Sequence, residues 1–446
     1  MTVLRRVWLV TLAYWIVYAA LGTDRYVTYR SGADLGLFTQ TIASSLHGFA
    51  NTVEGGNHFA FHFSPILYAC APALWLLHSP LALVLIQACA CALAVPPLFL
   101  LARRRLPERF AFAVAAIALV YPPLAGVAFS DFHENGFVPA ATLWLLWAVD
   151  ARRWRLACAF LAVTLAIKED QAPILVFGAI VALAYFARRR ERDGVRFALG
   201  ALAASVAVFV AFFAIVRPLA AGGHGWEPLH FYARAAIEHG TRKPLVERLT
   251  YALEAFVPLC FACFASPVLL LALPGFAELF LSRDPVTYTM GQHYAAVWIP
   301  YVLAAYAFGV ARIAERRQTL AARLVQISLA LCVLNLLFAS PTHWGHYLGP
   351  RTAHDATLDR FLSDLPPDLQ VGTHDEIYAH IGFDPHASIG LSSAPAFALF
   401  DGTMATSYWV ERTRDALSDP SGRYALVRDD DGIGLYRRKK SAAAQD

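Results

Sequence analysis

The chain has 446 residues, 58% of them hydrophobic and only 16% charged, with a formal net charge of +4 and a mean hydropathy of +0.47. Soluble domains carry about a quarter charged residues, so an ordinary soluble enzyme is excluded and no nucleic-acid partner is expected. Apolar runs recur at the length of about 20 residues that a helix needs to cross roughly 30 Å of hydrocarbon, which makes this an all-α polytopic membrane protein.

The first run, MTVLRRVWLVTLAYWIVYAALG, lacks a convincing cleavage pattern and reads as an uncleaved span near 7–22. The stretch SGADLGLFTQTIASSLHGFANTVEGGNHFAFHFSP (31–65) follows, with Asp34, His47, Glu54, His58 and His62. Within it, ADLGLFTQ predicts a short amphipathic helix along the membrane surface. Asp34 is either the cap of that helix or a functional carboxylate. Residues 63–78, FSPILYACAPALWLLH, are apolar but short and are interrupted by Pro65 and Pro72. They read as a re-entrant or interfacial helix.

Further spans are expected near 81–101, 109–128, 137–150, 155–168, 172–187, 196–216, 252–264, 267–281, 295–311 and 320–339. Lys and Arg favour cytoplasmic loops. The basic clusters are Arg5–Arg6, Arg103–Arg105, Arg152–Arg155, Arg188–Arg192 and Arg312–Arg317. Placing all of them inside gives about 11 spans, a cytoplasmic N-terminus and an outer C-terminal tail. The loops at 131–136, 168–171, 217–250 and 282–294 then face outward with the 31–65 stretch. The spans at 137–150 and 155–168 are short, and snorkelling arginines make up part of the difference.

All seven cysteines lie in apolar runs and read as small hydrophobic side chains. The pair Cys260 and Cys263 has no second CxxC or histidine to complete a metal site. From about 341 the composition turns polar, predicting a transmembrane domain over 1–340 and a small α/β soluble domain over 341–446. Within that domain YALVRDDDGIGLYRRK predicts two strands around a DDDG turn.

The expected outer face gathers titratable groups. Asp131, His133 and Glu134 lie within four residues and suit either a divalent cation, Mg or Mn, or acid–base work; alone, such a loop is more often an ordinary solvated turn. Lys168, Glu169 and Asp170 sit between two apolar runs, where charge is costly unless paired or hydrated. His62 and the His293–Tyr294 pair each begin an apolar segment, commonly a mere interface position.

The order ADLGLFTQ, HFSPILYACAPALWLL, SDFHENG, IKEDQ and QHYAAVWIP resembles a bacterial membrane-protein family of unknown function. That family is similar in layout to the GT-C glycosyltransferases, and the resemblance covers roughly residues 20–400. It implies an acidic residue in the first outer loop, matched by Asp34, and another in the second, matched by Asp131 or Glu134. It further implies transfer of a sugar from a polyprenyl-phosphate lipid to an acceptor outside the cytoplasmic (inner) membrane. The sequence departs from that layout in the histidine of DFHE and in lacking a clear arginine-rich phosphate motif.

The residues fit such a reaction on their own terms. Asp34 would take the acceptor proton, and either Lys168 or a cation on Asp131, His133 and Glu134 would offset the leaving phosphate. His62, Lys168, Glu169, Asp170, His293 and Tyr294 would line the substrate. A secondary transporter is the rival reading, kept open by Glu254 and Glu278 inside apolar runs. A non-catalytic assembly protein is the third.

Overall fold

The computed structural model describes residues 2–222, 245–282, 284–338, 342, 344–366, 369–404, 413–414, 416–417, 419 and 422–439. Most of the loop expected at 217–250 lies outside these residues. The chain divides into two compact units. The first comprises Met1–Gly22, Phe59–Ala69 and Val84–Trp344; the second comprises Thr23–His58, Cys70–Leu83 and Gly345–Asp446.

The first unit is helical. Among the described residues, five helices are long and apolar enough to cross a membrane: Val3–Val27, Leu81–Arg103, Gln171–Arg188, Arg192–Ala220 and Gln318–Phe338. Glu108–Val120 and Pro122–Phe129 form a sixth candidate, bent by 48°. The bend falls where Tyr121 is extended ahead of Pro122, as the steric restriction on a residue before proline requires. Leu199, Val206 and Val210 on one of the long helices are exposed apolar residues, as a lipid-facing surface requires.

Other expected spans take different forms. Val138–Asp150 and Trp154–Leu165 are helices of 13 and 12 residues. The run at 252–264 is not one helix: it ends at Phe256, passes through the single turn Val257–Leu259, and reverses at Cys260 and Phe261, both left-handed. Pro258, which has no N–H for a helical hydrogen bond, accounts for the stop. Helix Ile299–Arg316 is buried along most of its length and forms the centre of this unit. Residues 63–78 form a turn of 3₁₀ helix at Pro65–Cys70 followed by the short helix Ala71–Leu77.

The second unit contains a five-stranded mixed sheet. Its strands run in the order Ser388–Ile389, Val371–Thr373, Phe397–Asp401, Ile433–Arg438 and Tyr424–Asp430. The first three are parallel and the last two antiparallel. The expected hairpin is present, with Asp430 paired to Ile433 and the turn made by Asp431 and Gly432, both at positive φ. Helix Ala353–Asp364 starts with a capping box between Thr352 and Asp355. Leu358 and Phe361 from that helix join Tyr29, Val371, Ile377, Leu399 and Ile433 in one core.

Helix Ala33–Ala43 also belongs to this unit. Seven of its eleven residues are buried, so it is packed within the fold rather than laid along a membrane surface as its pattern suggested. Its Gln40 accepts a hydrogen bond from the Tyr378 hydroxyl at 2.8 Å and donates to the Asp384 carbonyl at 2.6 Å.

Candidate functional site

Two groups of loops separate within the first unit. At one group the arginine clusters meet. Asp150 accepts from Arg104 at 2.6 Å and from Arg105 at 2.5 Å, and Arg152 pairs with Glu191 at 2.7 Å. The loops at 103–105, 150–153 and 188–191 therefore lie together. The other group brings together His62, residues 131–135, residues 166–171 and His293.

Gln87, a lone amide in the apolar helix Leu81–Ala92, organises the 131–135 loop. Its Nε2 donates to the carbonyls of Val127 (3.0 Å), Ser130 (2.8 Å) and Asp131 (3.0 Å), and its Oε1 accepts from the His133 N–H at 2.7 Å. A lone polar residue in such a run is itself a signal, and the sequence reading passed over it. The loop thereby delivers Glu134 into the interior, where it is fully buried. Its Oε1 lies 3.4 Å from Lys168 Nζ and its Oε2 3.2 Å from His133 Nδ1.

The imidazoles of His133 and His293 stack with centroids 3.5 Å apart and planes within 10°. His293 reaches this position because Gly291 adopts a φ of +96° and Gly126 passes so close that a Cβ there would lie 2.5 Å from Gly291 Cα. Tyr294 packs against His293 at 4.1 Å.

Lys168, Glu169 and Asp170 join the same site. Glu169 is held twice: its Oε1 lies 2.8 Å from His62 Nδ1, and its Oε2 accepts the Phe63 N–H at 2.8 Å. The His62 side chain is 39% exposed against 15% for Glu169, so the carboxylate fixes a part-exposed ring. Gln171 donates to Asp170 at 2.8 Å.

The charges are matched internally. Burial alone would depress the Lys168 amine, but the charges of Glu134, Asp170 and Glu169 outweigh it and raise its pKa. Burial would raise Glu169, yet His62, Lys168 and the Phe63 N–H bring it down to about 2. Burial lifts Asp170 to about 6, a value kept from falling by the nearby Glu169. His293 is pushed well below its ordinary value by burial and by the charges of Lys168 and His62.

The other expected residues are placed differently. Asp34 is in the second unit, in the first turn of helix Ala33–Ala43. Gly32 occupies the cap position, so Asp34 is not the N-cap. Glu54 and His58 pair at 2.8 Å, and Asn51 donates to the same carboxylate at 2.6 Å, which makes them a structural clasp of the 50–57 hairpin. Among the described residues, no group of three or more His, Cys, Asp or Glu is arranged to hold a metal ion. Glu134, one of the three expected cation ligands, instead pairs with Lys168.

Residues 25–355 match a family described as a predicted membrane protein, DUF2079. The chain belongs to that family. No curated protein matches its sequence. Among solved structures it is similar to ArnT from Cupriavidus metallidurans. The undecaprenyl-phosphate-bound form is 14% identical with a TM-score of 0.56, covering 96% of this chain and 97% of that one. The apo form is 13% identical with a TM-score of 0.57 over the same shares. AglB from Archaeoglobus fulgidus, solved with an inhibitory peptide and a dolichol-phosphate, is 14% identical with a TM-score of 0.44, covering 98% of this chain and 75% of that one. This DUF2079 member is thus a multi-pass membrane protein whose structural neighbours are GT-C glycosyltransferases.

Proposed function

We propose that this DUF2079 protein is a GT-C-type glycosyltransferase of the bacterial inner membrane, moving a sugar from a polyprenyl-phosphate lipid to an acceptor on the outer face. The observation that carries the reading is its likeness, over nearly the whole of both chains, to an ArnT structure bound to undecaprenyl phosphate. The polar site of the first unit supports it, because charged groups gathered among apolar helices are costly and kept for function.

In this reading the acceptor O–H bond breaks as its oxygen bonds the sugar C1. The proton passes to the Asp34 carboxylate, and the C1–O bond to the phosphate opens with its electron pair staying on the phosphate. Asp131 or Glu134 is the second acidic position. Lys168 pairs with Glu134 in the interior, and Glu169 orients the part-exposed His62 ring toward substrate. Asp170, His293 and Tyr294 complete the lining. We assign about 11 spans, the arginine loops to the cytoplasm and 341–446 to the outside, from the positive-inside pattern.

The test is to incubate purified protein in proteoliposomes with a radiolabelled polyprenyl-phosphate sugar and a bacterial envelope fraction. Wild-type protein is expected to move label from the lipid to an acceptor. Uptake of a solute driven by an ion gradient, with no change in the lipid, would instead establish the transporter.

A further inference from the structure

Lys168 in the first unit has Glu134 as its counter-charge. The second unit contains a cation with none of its own. Arg30 lies just beyond Val27, the end of a candidate span, and is half-buried. Its Nη1 is buried and has no hydrogen-bond partner among the described residues, and no carboxylate pairs with its guanidinium there. Most buried polar groups are satisfied, and an uncompensated charge held out of water is costly.

The surroundings are arranged to keep that guanidinium in place. A Cβ at position 349 would lie 2.5 Å from Arg30 Nη1 and 2.8 Å from Nη2, so the guanidinium lies close against the Gly349 backbone. Arg25 donates its Nε to the Arg30 carbonyl at 2.8 Å and lays its own guanidinium 4.1 Å over the Tyr347 ring. Arg351 pairs with Asp359, which also accepts the Tyr29 hydroxyl at 2.7 Å. That carboxylate is already shared between two donors.

A second orphan atom stands beside the same segment. His380 is stacked between Tyr26 and Tyr29, at 4.1 and 4.0 Å, and its Nε2 is buried without a partner. Burial holds this imidazole down to about 3, so it is neutral, and it is hydrogen-bonded to the backbone of Tyr26. A neutral ring that donates through one nitrogen offers the other as an acceptor for a hydroxyl.

We propose that Arg30, with His380 stacked against the preceding Tyr29, binds the phosphate of a hydroxyl-bearing phosphate ester. The planar guanidinium fork matches two phosphate oxygens, and the imidazole accepts from a neighbouring hydroxyl. A lipid-borne sugar phosphate and a soluble one offer the same chemistry. Identifying the ester with the lipid donor rests on the transferase reading; the anion site itself does not.

The experiment uses the full chain in nanodiscs and follows thermal unfolding and binding affinity. The probes are inorganic phosphate, a hexose 1-phosphate, and phosphatidylcholine discs with or without undecaprenyl phosphate, with chloride matching ionic strength. Wild-type protein is expected to be stabilised by at least one phosphate probe. Arg30→Gln is expected to unfold no earlier than wild type without probe, and to lose at least about tenfold in affinity with it. Arg30→Lys, which keeps the charge but not the fork, is expected to fall between them.

A response to undecaprenyl phosphate alone assigns the lipid source, and a response to the soluble probes alone assigns a free ester. No response from wild type, an undiminished response from Arg30→Gln, or an unliganded Arg30→Gln well below wild type in stability overturns the proposal. If phosphate binds through Arg30 while no sugar is transferred, the transferase reading fails and the site stands.

Discussion

His62 Nδ1 and Glu169 Oε1 lie 2.8 Å apart although 107 residues separate them in sequence. The pairing has a definite pH signature. Burial and Lys168 oppose the charge on His62, but Glu169 outweighs them and its pKa is raised; Glu169 is lowered to about 2. A raised histidine contributes stability that is complete below its unfolded pKa of about 6.5 and is lost as pH rises through its folded value. A lowered carboxylate contributes above about 4.3 and loses it as pH falls toward 2. The pair therefore stabilises most between roughly pH 4.3 and 6.5. Unfolding temperature measured from pH 4 to 9 is expected to decline on the alkaline side, and Glu169→Gln to flatten that decline. An unchanged profile in the variant would mean that the two side chains do not titrate as a pair.

The 3.4 Å contact of Lys168 with Glu134 yields a second expectation, of a different kind. Both groups are buried, and removing one partner of a buried pair typically costs about 3–5 kcal/mol because the other loses its compensation, although Asp170 and Glu169 also act on Lys168. Lys168→Met and Glu134→Gln should each lower the unfolding temperature markedly. The double variant should lose much less than the sum, since neither charge remains. Strict additivity in a double-mutant cycle would rule out the direct pair.

What was legible in the sequence was local. Turn chemistry marked the hairpin at Asp431–Gly432, and the cost of charge near hydrocarbon marked Lys168, Glu169 and Asp170 as members of one site. What escaped was long-range. No local pattern announces that the Tyr378 hydroxyl binds Gln40 across 338 residues, and so helix Ala33–Ala43 read as amphipathic on a membrane surface when it is buried in the second unit. Gln87 looked like one amide among apolar neighbours because its four partners lie 40 residues or more away. The reversal at Cys260 and Phe261 was hidden by the apolar character of both residues, since hydropathy reports environment and not backbone direction.

The orientation can be tested at the sheet of the second unit. Ser392 is exposed, unlike the neighbouring Ser388, and suits a cysteine probe. Cys158 is exposed and must first be replaced by serine. The Ser392→Cys protein should react with a membrane-impermeant maleimide in intact spheroplasts. A cysteine at Arg104, in the arginine-rich loops joined through Asp150, should react only after lysis. The reverse pattern would invert the topology and move the catalytic reading to the cytoplasmic face.

Asp34 offers the sharpest separation of chemistry from folding. Gly32 caps the helix Ala33–Ala43, so Asp34 is not needed as its N-cap, and its negative charge in the first turn contributes about 0.3–1 kcal/mol. Asp34→Asn retains the side-chain shape and removes the charge and the proton-accepting role. The variant should insert, purify and unfold within a few degrees of wild type. Sugar transfer should fall by about 10²–10⁴, the usual loss when a general base is removed. Binding of lipid-linked sugar should persist, because the lost carboxylate acts on the acceptor and not on the donor. The measurements are turnover of labelled donor in proteoliposomes alongside donor affinity by the same thermal shift. Wild-type turnover in Asp34→Asn would remove Asp34 from the chemistry and leave Asp131 or Glu134 to supply the base. A fall in donor affinity that matches the fall in turnover would make Asp34 a binding residue.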